Sequence, residues 1–133
     1  MKITYRNYYL LLMLITTIWL CLGENYHSNF ATLVLYFLGF PVYVFLYFKN
    51  LGAFSDKLKL RDPILFKKNC IQIGFFKDEM IHAMNLFNNP DFEKLTDEEL
   101  KRYYKLTRSA VKYIALIFLS FPILTIFLIL IKK

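Results

Sequence analysis

Charged side chains are missing from three long stretches of this sequence. Residues 7–23 carry none over 17 positions, residues 25–48 none over 24, and residues 113–131 none over 19. A chain of 133 residues has too small an interior to hide such runs from water, because a small domain buries only part of the surface its chain exposes. A helix needs about 20 residues to cross the hydrocarbon of a bilayer. The runs therefore read as three membrane-spanning helices, at about residues 7–23, 30–48 and 113–131.

Other absences exclude chemistry. There are only two cysteines, Cys21 and Cys70, and no CxxC spacing, so neither a disulfide framework nor a thiolate metal site is expected. The two histidines, His27 and His82, fall in separate segments and read as solvated side chains rather than ligands. Glycine-rich phosphate loops, HExxH and GxSxG are missing. The Asp78-Glu79 pair and the Asp97-Glu98-Glu99 run read as solvated or capping charges. No catalytic residue, cofactor, metal or small-molecule substrate is expected, and the chain does not read as an enzyme. No Asp, Glu, Lys, Arg or His lies inside the three expected spans, which argues against a proton pathway or a transporter.

What is present points to lipid. The chain is 57% hydrophobic and 19% aromatic, and its mean hydropathy is +0.39. In the third run, YIALIFLSFPILTIFLILI, Leu, Ile and Phe fill 14 positions. At about −0.3 to −0.6 kcal/mol each they favour insertion by roughly 4 to 8 kcal/mol. Pro122 is expected to kink that helix, which lipid-embedded helices tolerate when neighbours re-satisfy the freed backbone. The second run has Gly39 and Pro41 near its middle, and aromatics crowd its C-terminal half. The first run is short. Its basic start, Lys2 and Arg6, leaves a cleaved signal peptide as the competing reading, with a retained helix preferred.

The net charge of +7 raises the question of nucleic acid, but no recognition motif accompanies it, and no nucleic-acid partner is expected. Thirteen of the 17 Lys and Arg lie in residues 49–112, two precede the first run, and two follow the third. The positive-inside rule then places the N-terminus and residues 49–112 in the cytoplasm and the C-terminus outside. The expected architecture is all-α: one integral-membrane domain over residues 1–133, a three-helix bundle with a helical cytoplasmic segment at 49–112.

Within that segment, Lys49, Lys57, Lys59, Arg61, Lys67 and Lys68 follow the second span and read mainly as topology-setting charge, with some attraction to anionic headgroups. Phe76, Met80, Ala83, Met84 and Phe87 recur at helical spacing, predicting an amphipathic helix over about 75–88 that Asn88-Asn89-Pro90-Asp91 ends. Thr96 followed by Glu99 reads as a capping box. From there one long helix is predicted, about residues 97–131.

In the second span Thr32, Tyr36, Gly39 and Tyr43 fall at i, i+4, i+7 and i+11, on one face with a small residue at its middle. Small and hydroxylated residues suit helix–helix packing in lipid. Packing on the other two spans is a little preferred over an external partner.

Three segments carry a family resemblance. They are the Tyr-rich basic start KITYRNYY, the span and basic sequel GFPVYVFLYF and LRDPILFKKN, and the end LSFPILTIFLILIKK. In layout and in these segments, about half of its length, the chain resembles the immunity proteins that protect bacteria against pore-forming colicins. Its cytoplasmic segment is longer than in that pattern, with an added stretch around residues 75–112. The resemblance implies an inner-membrane protein that meets the toxin's inserting helices in the bilayer and keeps the channel shut. Under it, Thr32, Tyr36, Tyr43, Ser120 and Thr125 are the expected toxin contacts, with Gly39 on the same face. Two readings compete: a small accessory subunit of a secretion or conjugation complex, and a holin-like pore-former.

Overall fold

The computed structural model describes residues 4–22, 30–73 and 78–131. The elements run α1 (Tyr5–Leu22), α2 (Ala31–Arg61), α3 (Pro63–Asn69), β1 (Cys70–Ile73), β2 (Asp78–Ile81), α4 (Ala83–Asn88), a 3-10 turn (Pro90–Phe92) and α5 (Glu98–Ile131). Three helices are long and apolar enough to cross a membrane: α1, α2 and α5. This is the all-α pattern of a multi-pass membrane protein. α2 and α5 carry through Pro41 and Pro122.

The chain divides into two compact units. The first comprises residues 1–45 and 110–133. Its interior is small and partly polar: Leu12, Leu20, Ala31, Leu35 and Leu124 cluster there, and Thr16, Thr32, Tyr43 and Ser120 are buried too. Its outer surface is apolar, with Leu10, Leu14, Leu22, Phe37, Ile123 and Leu130 all at least half exposed. Soluble monomers rarely show a continuous apolar exterior. Hydrocarbon stabilises this one, while the backbone groups are satisfied within the helices.

The second unit, Leu46–Ser109, has a core of its own. Leu51, Phe54, Leu58, Phe66, Ile81, Leu86, Phe92, Leu100 and Tyr104 form it. Phe54 meets Phe92 edge-on at 5.5 Å, a favoured geometry for the ring quadrupoles. The connections are capped locally. Asp62 accepts from Leu65 N–H at 2.9 Å ahead of Pro63, which lacks an N–H to lose. The His82 Nδ1 accepts from Met84 N–H, so this side chain caps α4.

Two expectations are corrected here. The predicted amphipathic helix starts only at Ala83; Asp78–Ile81 is a strand paired antiparallel with Cys70–Ile73. Phe75 and Phe76 lie outside the described residues. The ladder wins because nearby groups complete it: Ser55 Oγ accepts from Ile81 N–H at 3.0 Å, and the Asn69 carbonyl accepts from His82 N–H at 2.9 Å. The second correction is the cap of α5. Asp97, not Thr96, receives the N–H groups of Glu99 and Leu100, at 2.9 and 3.0 Å. A carboxylate there also suits the positive end of the helix dipole.

The basic cluster after the second span is engaged in ion pairs more than sequence suggested. Lys57 pairs with Glu99 at 2.6 Å, Lys59 with Glu79 at 3.1 Å and Lys68 with Asp91 at 3.4 Å, while Arg61 bridges Asp97 and Glu99. Both cysteines are free.

Candidate functional site

The candidate site lies in the first unit, where the sequence offers hydroxyls and aromatics but no charge. Tyr43 is fully buried; its hydroxyl donates to the Tyr5 carbonyl at 2.6 Å. Its ring stacks on Tyr113 at 5.4 Å and meets Tyr5 and Tyr8 edge-on. The Ser120 hydroxyl lies 2.6 Å from that of Tyr9 and donates to the Leu116 carbonyl at 2.6 Å. Thr125 donates to the Phe121 carbonyl at 2.8 Å, the back-bond expected of a hydroxyl in a lipid-embedded helix. Thr32 is buried.

Gly39 sits where side chains of two neighbouring helices crowd its backbone. A Cβ there would stand 2.6 Å from Ile117 Cδ1 and 3.3 Å from Leu12 Cδ1, so only glycine leaves room for both neighbours as they sit. The face shared by Thr32, Gly39 and Tyr43 thus packs on the neighbouring helices. Thr32, Gly39, Tyr43 and Ser120 hold the bundle together and are covered.

Tyr36 differs. It borders a cleft of about 360 Å³ lined by Leu33, Tyr36, Phe37, Phe118 and Phe121. The Tyr36 ring stacks on Phe40 at 5.3 Å and meets Phe118 and Phe121 edge-on at 5.8 and 6.0 Å. Phe40 and Phe118 are a further edge-on pair at 5.2 Å. These aromatic contacts fix the wall of the cleft, while Phe37, 67% exposed, forms its outer lip. Such a surface offers shape and ring edges and no charge. It suits a bulky apolar side chain of another helix within lipid, where association relies on close packing.

Phe37, Phe118, Phe121 and Leu33 were not singled out from sequence. Their signal was available as aromatic spacing, Leu33-Tyr36-Phe37-Phe40 on one helix and Phe118-Phe121 on the other. The tyrosines Tyr5, Tyr8 and Tyr9 were legible only as a Tyr-rich start; they close one end of the bundle through Tyr43 and Ser120. Among the described residues no three His, Cys, Asp or Glu side chains come together as a metal-ligand set. Compared with family models, curated proteins and solved structures, the chain matches none of them.

Proposed function

We propose that this chain is a bacterial inner-membrane immunity protein. It protects the producing cell from a pore-forming bacteriocin by binding the toxin's channel-forming helices in the bilayer. The observation that carries the reading is the uncharged aromatic cleft of Leu33, Tyr36, Phe37, Phe118 and Phe121. It is open on the apolar side of the bundle, while the Tyr43, Ser120 and Thr125 hydroxyls donate to internal carbonyls. A toxin helix seated there would be held in its closed arrangement, and only a difference in affinity between closed and open states shifts that equilibrium. The function needs no catalysis, cofactor or small-molecule substrate. The N-terminus and Leu46–Ser109 are read as cytoplasmic and the C-terminus as periplasmic, following the basic charge.

The test is expression in a toxin-sensitive strain, challenged with the pore-forming toxin encoded beside this gene. Protection is expected, and Phe37→Ala with Phe118→Ala should abolish it at unchanged membrane levels. A chain that accumulates in the membrane and protects against no neighbouring toxin contradicts the reading.

A second reading is a non-catalytic accessory subunit of an envelope complex. Its support is the separately cored unit Leu46–Ser109, on which Leu60 and Ile64 stand 83% and 82% exposed. Co-purification with a secretion or conjugation complex, lost in Leu60→Ser with Ile64→Ser and without effect on toxin sensitivity, would select it.

A further inference from the structure

The second unit contains a cavity that the toxin reading does not use. It measures about 330 Å³, at the lower end of small-ligand sites, and is lined by Phe92, Glu93, Lys101, Tyr104, Lys105 and Arg108. Aromatic side chains back it: Phe92 is fully buried and Tyr104 nearly so. Its rim is cationic. Lys101, Lys105 and Arg108 fall at i, i+4 and i+7 of α5, so helical geometry places them on one side.

The lining carries an excess of positive charge. Glu93 is the one carboxylate among the described lining residues, and Arg108 takes it at 2.9 Å. Among the described residues neither Lys101 nor Lys105 forms an ion pair. Arg108 is oriented before any ligand arrives. Its Nη1 donates to Glu93 and to the Tyr104 hydroxyl at 3.0 Å, and its guanidinium lies over the rings of Phe87 and Tyr104 at 5.8 and 5.4 Å. Both bonds leave from Nη1, and among the described residues no hydrogen bond engages Nη2 or Nε. A guanidinium presents five N–H donors in a planar fork that matches two oxygens of a phosphate. Two ammonium groups beside an oriented guanidinium offer charge-assisted donors of the kind a phosphate ester takes.

We propose that the Lys101–Lys105–Arg108 cavity binds a phosphate ester, the phosphodiester headgroup of an anionic phospholipid or a soluble phosphate ester. The phosphate oxygens would take the Arg108 Nη2 and Nε donors and the two lysines. The proposal is independent of the toxin reading.

The experiment uses the full chain in mild detergent, with bound ligand counted by native mass spectrometry. Phosphatidylglycerol, phosphatidylcholine and glycerol 3-phosphate are added in turn. Each lysine near an anionic headgroup is worth about a fivefold change in affinity. Lys101→Gln with Lys105→Gln should therefore weaken binding at least about tenfold. Lys67→Gln with Lys68→Gln, the same charge change elsewhere on the unit, should leave it in place. Retention of phosphatidylglycerol over phosphatidylcholine assigns the phosphate to lipid. Uptake of glycerol 3-phosphate without retained lipid assigns it to a soluble ester. Either supports the site when only the first pair of substitutions removes binding. The proposal is overturned if neither ligand binds, or if both double variants lose binding equally, which is nonspecific charge attraction.

Discussion

Arg61, the last residue of α2, donates to Asp97, the residue that caps α5. The same guanidinium reaches Glu99 at 2.7 Å, and Glu99 takes Lys57 at 2.6 Å. Two helix ends 36 residues apart in sequence are thus tied by one small charge network.

That network sets an acid limit on stability. The Leu100 N–H above all, and then Arg61, hold the Asp97 carboxyl below its ordinary value of 3.8. Lys57 first and Arg61 second hold Glu99 below 4.5. Because the folded state binds fewer protons than the unfolded chain, the contribution is complete above those ordinary values. It is lost as pH falls through the lowered ones. Arg61→Gln should lower the Tm at pH 7, and the gap to wild type should shrink as pH falls below those ordinary values. The groups are exposed, so raised salt should narrow it as well. Thermal melts followed by circular dichroism in detergent check both trends.

Gly39 and Ile117 should show coupling. Gly39→Ala gains up to about 1 kcal/mol of helix propensity but overpacks against Ile117 Cδ1, at about 1–3 kcal/mol. The single substitution is expected to be neutral to destabilising. Ile117→Val removes that terminal methyl, so the double variant should be more stable than the sum of the singles. A double-mutant cycle in detergent unfolding measures the sign.

Tyr43 separates a hydrogen bond from a ring. Tyr43→Phe loses only the bond to the Tyr5 carbonyl, about 0.6 kcal/mol and at most about 1.7 in a bilayer. Tyr43→Ala also removes the stack on Tyr113 and should cost about 3 kcal/mol or more. Resistance to unfolding by a denaturing detergent should rank wild type, Phe and Ala in that order.

Much of this was legible in sequence, for different physical reasons in the two units. The three uncharged runs fixed which helices can meet lipid, because a charge in hydrocarbon is expensive whatever surrounds it. The start of the long last helix was visible to within one residue; Asp97 displaces Thr96 as cap because the helix begins at Glu98. The second unit was read as a charged loop with helices. Its core escaped notice because Leu51, Phe54 and Leu58 continue the apolar pattern of a span, and the partners Phe66, Ile81 and Phe92 come from short elements. The strand at Asp78–Ile81 was hidden for the same reason: Ser55 and Asn69, distant in sequence, complete its hydrogen bonds. At the candidate site, Gly39 and Tyr43 were visible as a face, but which face meets neighbouring helices depends on how the helices turn, and hydroxyl spacing does not encode that.

The separate core implies localised damage. Phe92→Ala should cost about 3–5 kcal/mol in the second unit. Hydrogen exchange should then rise across residues 46–109 and leave the middle of α1 protected. Uniform loss of protection would mean that the two units unfold as one.

Three helices are long and apolar enough to cross the bilayer, and the proposed topology puts the N-terminus inside and the C-terminus outside. Fusing alkaline phosphatase, active only outside the cytoplasm, and a fluorescent protein, fluorescent only inside, to each terminus tests it most directly. The account predicts fluorescence at the N-terminus and phosphatase activity at the C-terminus. Both termini reporting the same side would contradict it.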